Sequence, residues 1–324
     1  MGRHNRKIIF AAAALLCAAL AFVCVRHTGR KNSPLRIVMI QKALDDTDFW
    51  TSIAQGGEMA AEEHDAVLTV AGPPREQEIG MQNEMILDAI ADRPDAIVLA
   101  PGSSEETLPY ARQIEEAGIP LVLLDSTMEE KAGVSVVATD NYELGYKMGN
   151  YMKQFVDEDT VIGIVGHVEG SSTAIGREAG FRAGLGEAQD QVAEIVFCDS
   201  VTEKASELTR GLLEKYPDMD MIVGLNEYSA VGAARAVLEL GLSDEIYMAG
   251  IDSSLEQIRL LEAGVYEALA IQKPFNMGYL GVETAIRAAW GEEVEENIDS
   301  GSELITKENM YTEENQKLLF PVAE

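Results

Sequence analysis

From Leu35 to the C-terminus the chain repeats one pattern: a short apolar run rich in β-branched residues, then a stretch with apolar residues at helical spacing. Ten runs read as strands: Leu35–Gln41, Ala66–Ala71, Asp95–Ala100, Ile119–Leu124, Val134–Ala138, Thr160–Gly166, Val192–Cys198, Asp220–Leu225, Glu245–Gly250 and Glu267–Ile271. Helical spacing runs through Trp50–Glu63, Glu76–Ala91, Glu105–Ala117, Tyr142–Phe155, Ala174–Glu187, Glu203–Tyr216, Ser229–Leu240 and Phe275–Trp290. Runs this short, with few internal polar residues, suit strands buried on both faces, and alternation with helices implies parallel sheets covered by helices. A single sheet would need nine or more parallel strands, so two sheets are expected, with the irregular stretch Ser126–Gly133, followed by the strand Val134–Ala138, as the first crossing between them. Ser253 with Glu256 reads as a capping box, and Gly118, Gly241 and Gly264 stand where helices should stop.

Charge narrows the function classes. From Leu35 onward, 19 Lys and Arg face 55 Asp and Glu. A body this acidic repels phosphate backbones, which argues against nucleic-acid partners. Cys17 and Cys24 lie in an N-terminal apolar segment and Cys198 stands alone, so the body has no disulfide framework or paired metal-ligand spacing. Cys198 reads as a buried core thiol. No cofactor is expected.

Arg3, Arg6 and Lys7 precede an uninterrupted apolar run, Ile8–Val25, and Arg26, Arg30 and Lys31 follow it. Eighteen residues at about 1.5 Å rise reach roughly 27 Å, enough for a bilayer core. A cleaved signal peptide ending near Ala19-Leu20-Ala21 is the alternative, but the run continues through Phe22, Val23 and Val25. Large residues (Leu16, Val23) before each cysteine make a poor lipidation site. The expectation is an N-terminal membrane helix with a stalk over residues 1–34.

Ligands of open parallel sheets bind beyond the carboxyl ends of the strands. After the first strand stand Lys42, Asp46, Asp48, Phe49 and Trp50; after the fourth, Asp125 and Ser126; after the strand that follows, Asp140 and Asn141. The second half supplies Arg177, Asn226, Glu227, Asp252 and Gln272 at equivalent positions. Carboxylates accept from hydroxyls, a guanidinium donates in a fixed fork, amides do both, and an aromatic face covers a sugar ring. Each has a bland reading: Asp252 as support for a helix N-terminus, Trp50 as plain core, Arg177 as a surface helix residue, Asp48 and Glu227 as solvated charges. Their joint placement on one edge favours a site, and the excess of carboxylates favours a neutral or cationic ligand.

Several segments in order carry a resemblance: Thr47-Asp48-Phe49-Trp50, Leu123-Leu124-Asp125, Ala138-Thr139-Asp140-Asn141, Gly176-Arg177-Glu178-Ala179-Gly180-Phe181, Asn226-Glu227, Gly250-Ile251-Asp252 and Ile271-Gln272-Lys273-Pro274. Over Leu35–Lys307 the chain resembles the ribose-binding-like group of periplasmic sugar-binding proteins. The resemblance implies two Rossmann-like lobes with parallel sheets, joined by three hinge strands and closing like a clamshell. Crossings near Thr139–Asp140, Gln272–Lys273 and Gly301–Ser302 would divide the chain into residues 35–139 plus 273–301 and residues 140–272 plus 302–324. It also implies that Phe49 and Trp50 stack on the sugar, while Asp125, Asn141, Arg177, Asn226, Asp252 and Gln272 bond its hydroxyls; Lys42, Asp48, Ser126 and Glu227 are further candidates. Ser126, where an arginine often follows the aspartate, and Ser200-Val201, where an aromatic is common, depart from the ribose pattern.

No phosphate loop, Gly-x-Gly-x-x-Gly, His-Glu-x-x-His or Gly-x-Ser-x-Gly occurs, so no catalytic residue is assigned. The rival reading is a hydrolase using His167 and Ser172; another is a binder of a non-sugar signal molecule. The resemblance implies an extracytoplasmic body, single-pass at the cell membrane, that hands its ligand to an ABC permease or presents it to a membrane histidine kinase. An anchor made of protein, with no lipid site, tilts this toward sensing.

Overall fold

A computed structural model describes residues 33–45 and 47–320. The first sheet gathers β1 (Arg36–Ile40), β2 (Val67–Ala71), β3 (Ala96–Leu99), β4 (Leu121–Leu124), β5 (Ser135–Ala138) and β11 (Asn297–Asp299) in the order β11-β5-β4-β3-β1-β2. The second gathers β6 (Val161–Gly166), β7 (Val192–Phe197), β8 (Met219–Gly224), β9 (Tyr247–Ile251), β10 (Ala268–Gln272) and β12 (Ser302–Thr306) in the order β12-β10-β9-β8-β6-β7. The chain passes from one sheet to the other between β5 and β6, between β10 and β11, and between β11 and β12. Two α/β lobes result. β3 and β4 are buried at every residue, the pattern of strands covered on both faces.

Pairing is parallel except at one edge. β12 runs antiparallel to β10, with Ala268 opposite Thr306 and Gln272 opposite Ser302. This corrects the all-parallel expectation, and β11 and β12 had not been read as strands at all. The physical reason is the route: β11 runs parallel to β5 and ends at the carboxyl edge of the first sheet, and only Ser300 and Gly301 later the chain enters the second sheet from its carboxyl edge, so β12 must run against β10. Gly301 has φ 86°, a left-handed conformation that suits glycine at so tight a link.

Helices fall close to their periodic stretches, with instructive shifts. α1 is Asp48–Glu63, α2 Ile79–Asp92, α3 Leu108–Glu116, α4 Asn141–Met152, α5 Ser172–Leu185, α6 Thr202–Lys215, α7 Glu227–Leu240, α8 Leu255–Ala263, α9 Pro274–Ala289 and α10 Glu313–Leu319. α2 begins at Ile79, not Glu76, which leaves Glu76 in a loop. The capping box before α8 is Ser254 with Gln257, not Ser253 with Glu256: Gln257 N–H donates to Ser254 Oγ at 3.4 Å and Ser254 N–H to Gln257 Oε1 at 3.0 Å. Gly241 and Gly264 are left-handed caps as expected.

Helices α4 and α5 lie unusually close. A Cβ on Gly145 of α4 would come 2.2 Å from the carbonyl oxygen of Arg177, and one on Gly180 of α5 would come 2.0 Å from that of Tyr142. Small residues on both helices therefore allow backbone contact, and that contact fixes where Arg177 enters the molecule. Among the described residues no helix is long and apolar enough to cross a membrane. The expected membrane helix at Ile8–Val25 lies outside the described residues, as does the candidate Asp46.

Candidate functional site

The carboxyl ends of the two sheets face one another across a pocket whose cavity volume is about 30 Å³. That is about the share of one water molecule in the liquid and far below the roughly 300–1,000 Å³ typical of small-ligand sites, so a ligand larger than water needs the lobes to part. From the first lobe come Lys42 after β1, Thr47, Phe49 and Trp50 at the start of α1, Glu76 after β2, and Asp125 after β4. From the second come His167 after β6, Thr173 and Arg177 on α5, Asn226 to Tyr228 after β8, Asp252 after β9 and Gln272 at the end of β10. Asp125 and Asp252 turn there with φ 61° and 76°. Non-glycine residues rarely adopt that conformation, and aspartate tolerates it better than most.

The charged groups are buried and held in pairs. Lys42 Nζ lies 2.5 Å from Asp125 Oδ2 and donates to Ser126 Oγ at 2.5 Å. Arg177 donates through Nε to Asn141 Oδ1 at 2.7 Å and through Nη1 to the Leu225 carbonyl at 2.8 Å. Asp252 accepts from Gln272 Nε2 at 2.7 Å and from the Glu227 backbone N–H at 2.9 Å. Glu76 accepts from the Trp50 indole N–H at 3.1 Å and from Ser200 Oγ at 2.5 Å. Asn226 caps α7, its Oδ1 accepting from Ser229 N–H at 2.9 Å. Phe49 meets Trp50 edge to face, with centroids 5.0 Å apart.

Burial governs the protonation of these groups. It raises the carboxyl of Glu76, opposed mainly by Lys42, and that of Asp252, opposed mainly by Arg177. Burial, then Asp252, Asp48 and Asp45, push Glu227 up to about 8. His167 is held well below the usual imidazole range by burial, then by the cations Arg177 and Lys42. Among the described residues, three buried atoms on the pocket's second-lobe side have no hydrogen-bond partner: His167 Nδ1, Glu227 Oε2 and Gln272 Oε1. An unpartnered buried polar atom costs about 1–3 kcal/mol, and three beside one cavity are what a polar ligand would satisfy.

The lobes also touch directly around the pocket. Ser200 reaches Glu76, the Tyr228 hydroxyl donates to Asp45, Leu255 N–H donates to Asp48 Oδ2 at 3.0 Å, and Thr127 N–H donates to Ser172 Oγ at 3.2 Å. Three of these four acceptors are first-lobe carboxylates.

Of the sequence candidates, Phe49, Trp50, Asp125, Arg177, Asn226, Asp252 and Gln272 line the pocket, with Lys42 and Glu227. Three others stand behind or beside it. Asn141 holds Arg177, Ser126 holds Lys42, and Asp48 lines the adjoining groove along Leu255 and Phe275. Thr47, Glu76, Thr173 and Tyr228 were missed as site residues. Glu76 had a signal: Pro73 and Pro74 just before it delay the start of α2. His167 had been weighed with Ser172 as a hydrolase pair, against the favoured reading of a ligand-facing or capping turn. Its Nε2 lies instead 2.8 Å from Thr173 Oγ1, while Ser172 serves the lobe contact. Cys198 is fully buried in the second-lobe core and burial pushes its thiol up to about 11, which makes it an inert packing residue.

Two parallel α/β lobes with a buried polar pocket between their strand ends define a solute-binding architecture. The chain belongs to the periplasmic binding protein domain family, which it matches over residues 37–293. It is 41% identical to a sugar transporter from Clostridium phytofermentans, with a TM-score of 0.80 over 84% of this chain and 99% of that one. An ABC transporter solute binding protein from Agrobacterium vitis with bound D-fucose is 30% identical, with a TM-score of 0.81 over 88% and 99%. A D-ribose/D-allose-binding protein of Pseudomonas aeruginosa is 24% identical over 91% of this chain and 94% of its own length. These relatives place the chain in the ribose-binding-like group. They are solute-binding proteins rather than enzymes.

Proposed function

We propose that the protein captures a neutral monosaccharide between its lobes on the extracytoplasmic side of a membrane and hands it to an ABC permease. The observation that carries this reading is the pocket lining: two buried cations and four buried or half-buried carboxyls supplied by both lobes, and three unpartnered polar atoms on its second-lobe side. Phe49 and Trp50 cover the C–H face of the sugar. Asp125, Arg177, Asn226, Asp252 and Gln272 bond its hydroxyls, while Asn141 and Ser126 hold Arg177 and Lys42 in place. Relatives that bind D-fucose or are named for D-ribose and D-allose support a sugar. In this reading the lobes are residues 35–139 plus 273–301 and residues 140–272 plus 302–324, and they close about the three crossings. Ile8–Val25 remains as a membrane anchor.

A sensor partner is the second reading, favoured by an anchor without a lipid site. The test of binding is a thermal-shift screen of the purified full chain against pentoses, hexoses and polyols, D-ribose, D-allose and D-fucose included. At least one should raise the melting temperature. Silence across the panel, with a response to another chemical class, overturns the sugar assignment. Pull-down of a permease, rather than a histidine kinase, from the native membrane decides the partner.

A further inference from the structure

We infer that His167 is a specificity-determining residue that reads one hydroxyl of the ligand through its Nδ1 atom. The inference rests on the sugar-binding reading above and assigns within it a contact for which none of the pocket's ion pairs accounts. His167 is 4% exposed, and the residues around it in the pocket include Arg177, Lys42 and Thr173. One ring nitrogen is taken: Nε2 lies 2.8 Å from Thr173 Oγ1 and 3.3 Å from Ser171 Oγ. Ser171 is itself fixed, because its Oγ accepts from Ala174 N–H at the start of α5. The ring is therefore held at one end, and at the other Nδ1 is buried with no partner among the described residues. A held ring with a vacant nitrogen beside a cavity is preorganised for a ligand atom.

The chemistry of that atom follows from the ring. Burial and the two cations keep the imidazole neutral, so one nitrogen donates and the other accepts. If Nε2–H donates to Thr173, Nδ1 accepts; if Thr173 or Ser171 donates to Nε2, Nδ1–H donates. A hydroxyl can answer either tautomer because it both donates and accepts. An ammonium answers only one, a carboxylate only the other, and a methylene neither. The position thus selects for a hydroxyl and against the matching deoxy sugar. Because His167 belongs to the second lobe, the same bond rewards a ligand that spans the cleft from the Lys42–Asp125 side.

The test uses the full chain, D-ribose, D-allose and D-fucose, and the mono-deoxy analogues of whichever binds tightest. His167→Leu should weaken that parent sugar about 10- to 100-fold, with the unliganded melting temperature measured beside it because the variant also removes the Nε2 contact with Thr173. One deoxy analogue, weakly bound by the wild type, should lose nothing further in His167→Leu. His167→Asn, which keeps a donor and an acceptor, should recover part of the parent affinity. Parent affinity within twofold of wild type, or equal losses for every deoxy analogue on both proteins, overturns the assignment. If the variants fold poorly, the wild type still decides. The chain holds four histidines, so the His167 ring nitrogens can be assigned by ¹⁵N NMR. Addition of the sugar should move Nδ1 far more than Nε2, and an unmoved Nδ1 refutes the contact. If no sugar shifts the wild-type melting temperature, the binding reading fails first, and this inference falls with it.

Discussion

Glu227 should make ligand capture depend on pH, and Glu227→Gln should abolish that dependence. The carboxyl stands at the seam between lobes. Its own backbone N–H is bonded to Asp252 just after β9, while Asp45 and Asp48 approach from the first lobe, held by the Tyr228 hydroxyl and by Leu255 N–H. Burial and these three carboxylates raise it from 4.5 to about 8. Two of the three belong to the opposing lobe, so closure increases the repulsion and favours the protonated form. The sign follows: a raised carboxyl stabilises the closed state fully below pH 4.5, and that stabilisation is lost as pH rises through about 8. The whole interval corresponds to a ceiling of about 5 kcal/mol, since the open lobe already places Glu227 beside Asp252. Affinity should fall with rising pH between these limits, by at most about tenfold per pH unit, and level off above. Calorimetry at pH 7.5 in buffers of different ionisation enthalpy should show the wild type taking up a fraction of a proton on binding sugar. Glu227→Gln, isosteric and unable to ionise, should take up less and bind more tightly than wild type at pH 9. The same pH profile in both proteins, or no uptake by the wild type, would refute the reasoning.

Arg177→Ala and Asp252→Ala should each weaken sugar binding by about 2–4 kcal/mol, because each leaves buried partners unpaired; titration calorimetry with unchanged circular dichroism checks both. Gly180→Ala places a Cβ against the Tyr142 carbonyl at 2.0 Å, so it should destabilise the second lobe by about 1–3 kcal/mol and loosen Arg177; thermal melts and affinity should fall together. Sugar phosphates and sugar acids should bind more weakly than their neutral parents, since Glu76, Asp125 and Asp252 outnumber Lys42 and Arg177 around the pocket; preference for an anion in competition binding refutes this.

What the sequence made legible follows from where the information resides. Strand interiors announce themselves because a residue such as Val98 or Leu123 must be apolar on either face, and the residues just past those strands are topologically bound to the cleft edge. Asp125, Asn226, Asp252 and Gln272 were found by that rule alone. Glu76 and Tyr228 were missed because their roles depend on partners 124 and 183 residues away, Ser200 and Asp45, which only the meeting of the lobes supplies. β12 escaped for a related reason: an edge strand with one covered side carries no continuous apolar run, and Ser302-Glu303 reads as a turn. Asn141 and Ser126 were placed correctly at the cleft edge, but position says nothing of whether a side chain meets the ligand or another side chain. That distinction comes from a crowded geometry, Gly145 and Gly180 letting α4 and α5 touch so that Asn141 must receive Arg177. Two consequences of one contact, a fixed guanidinium and an amide withdrawn from the pocket, therefore stay invisible until the helices are packed.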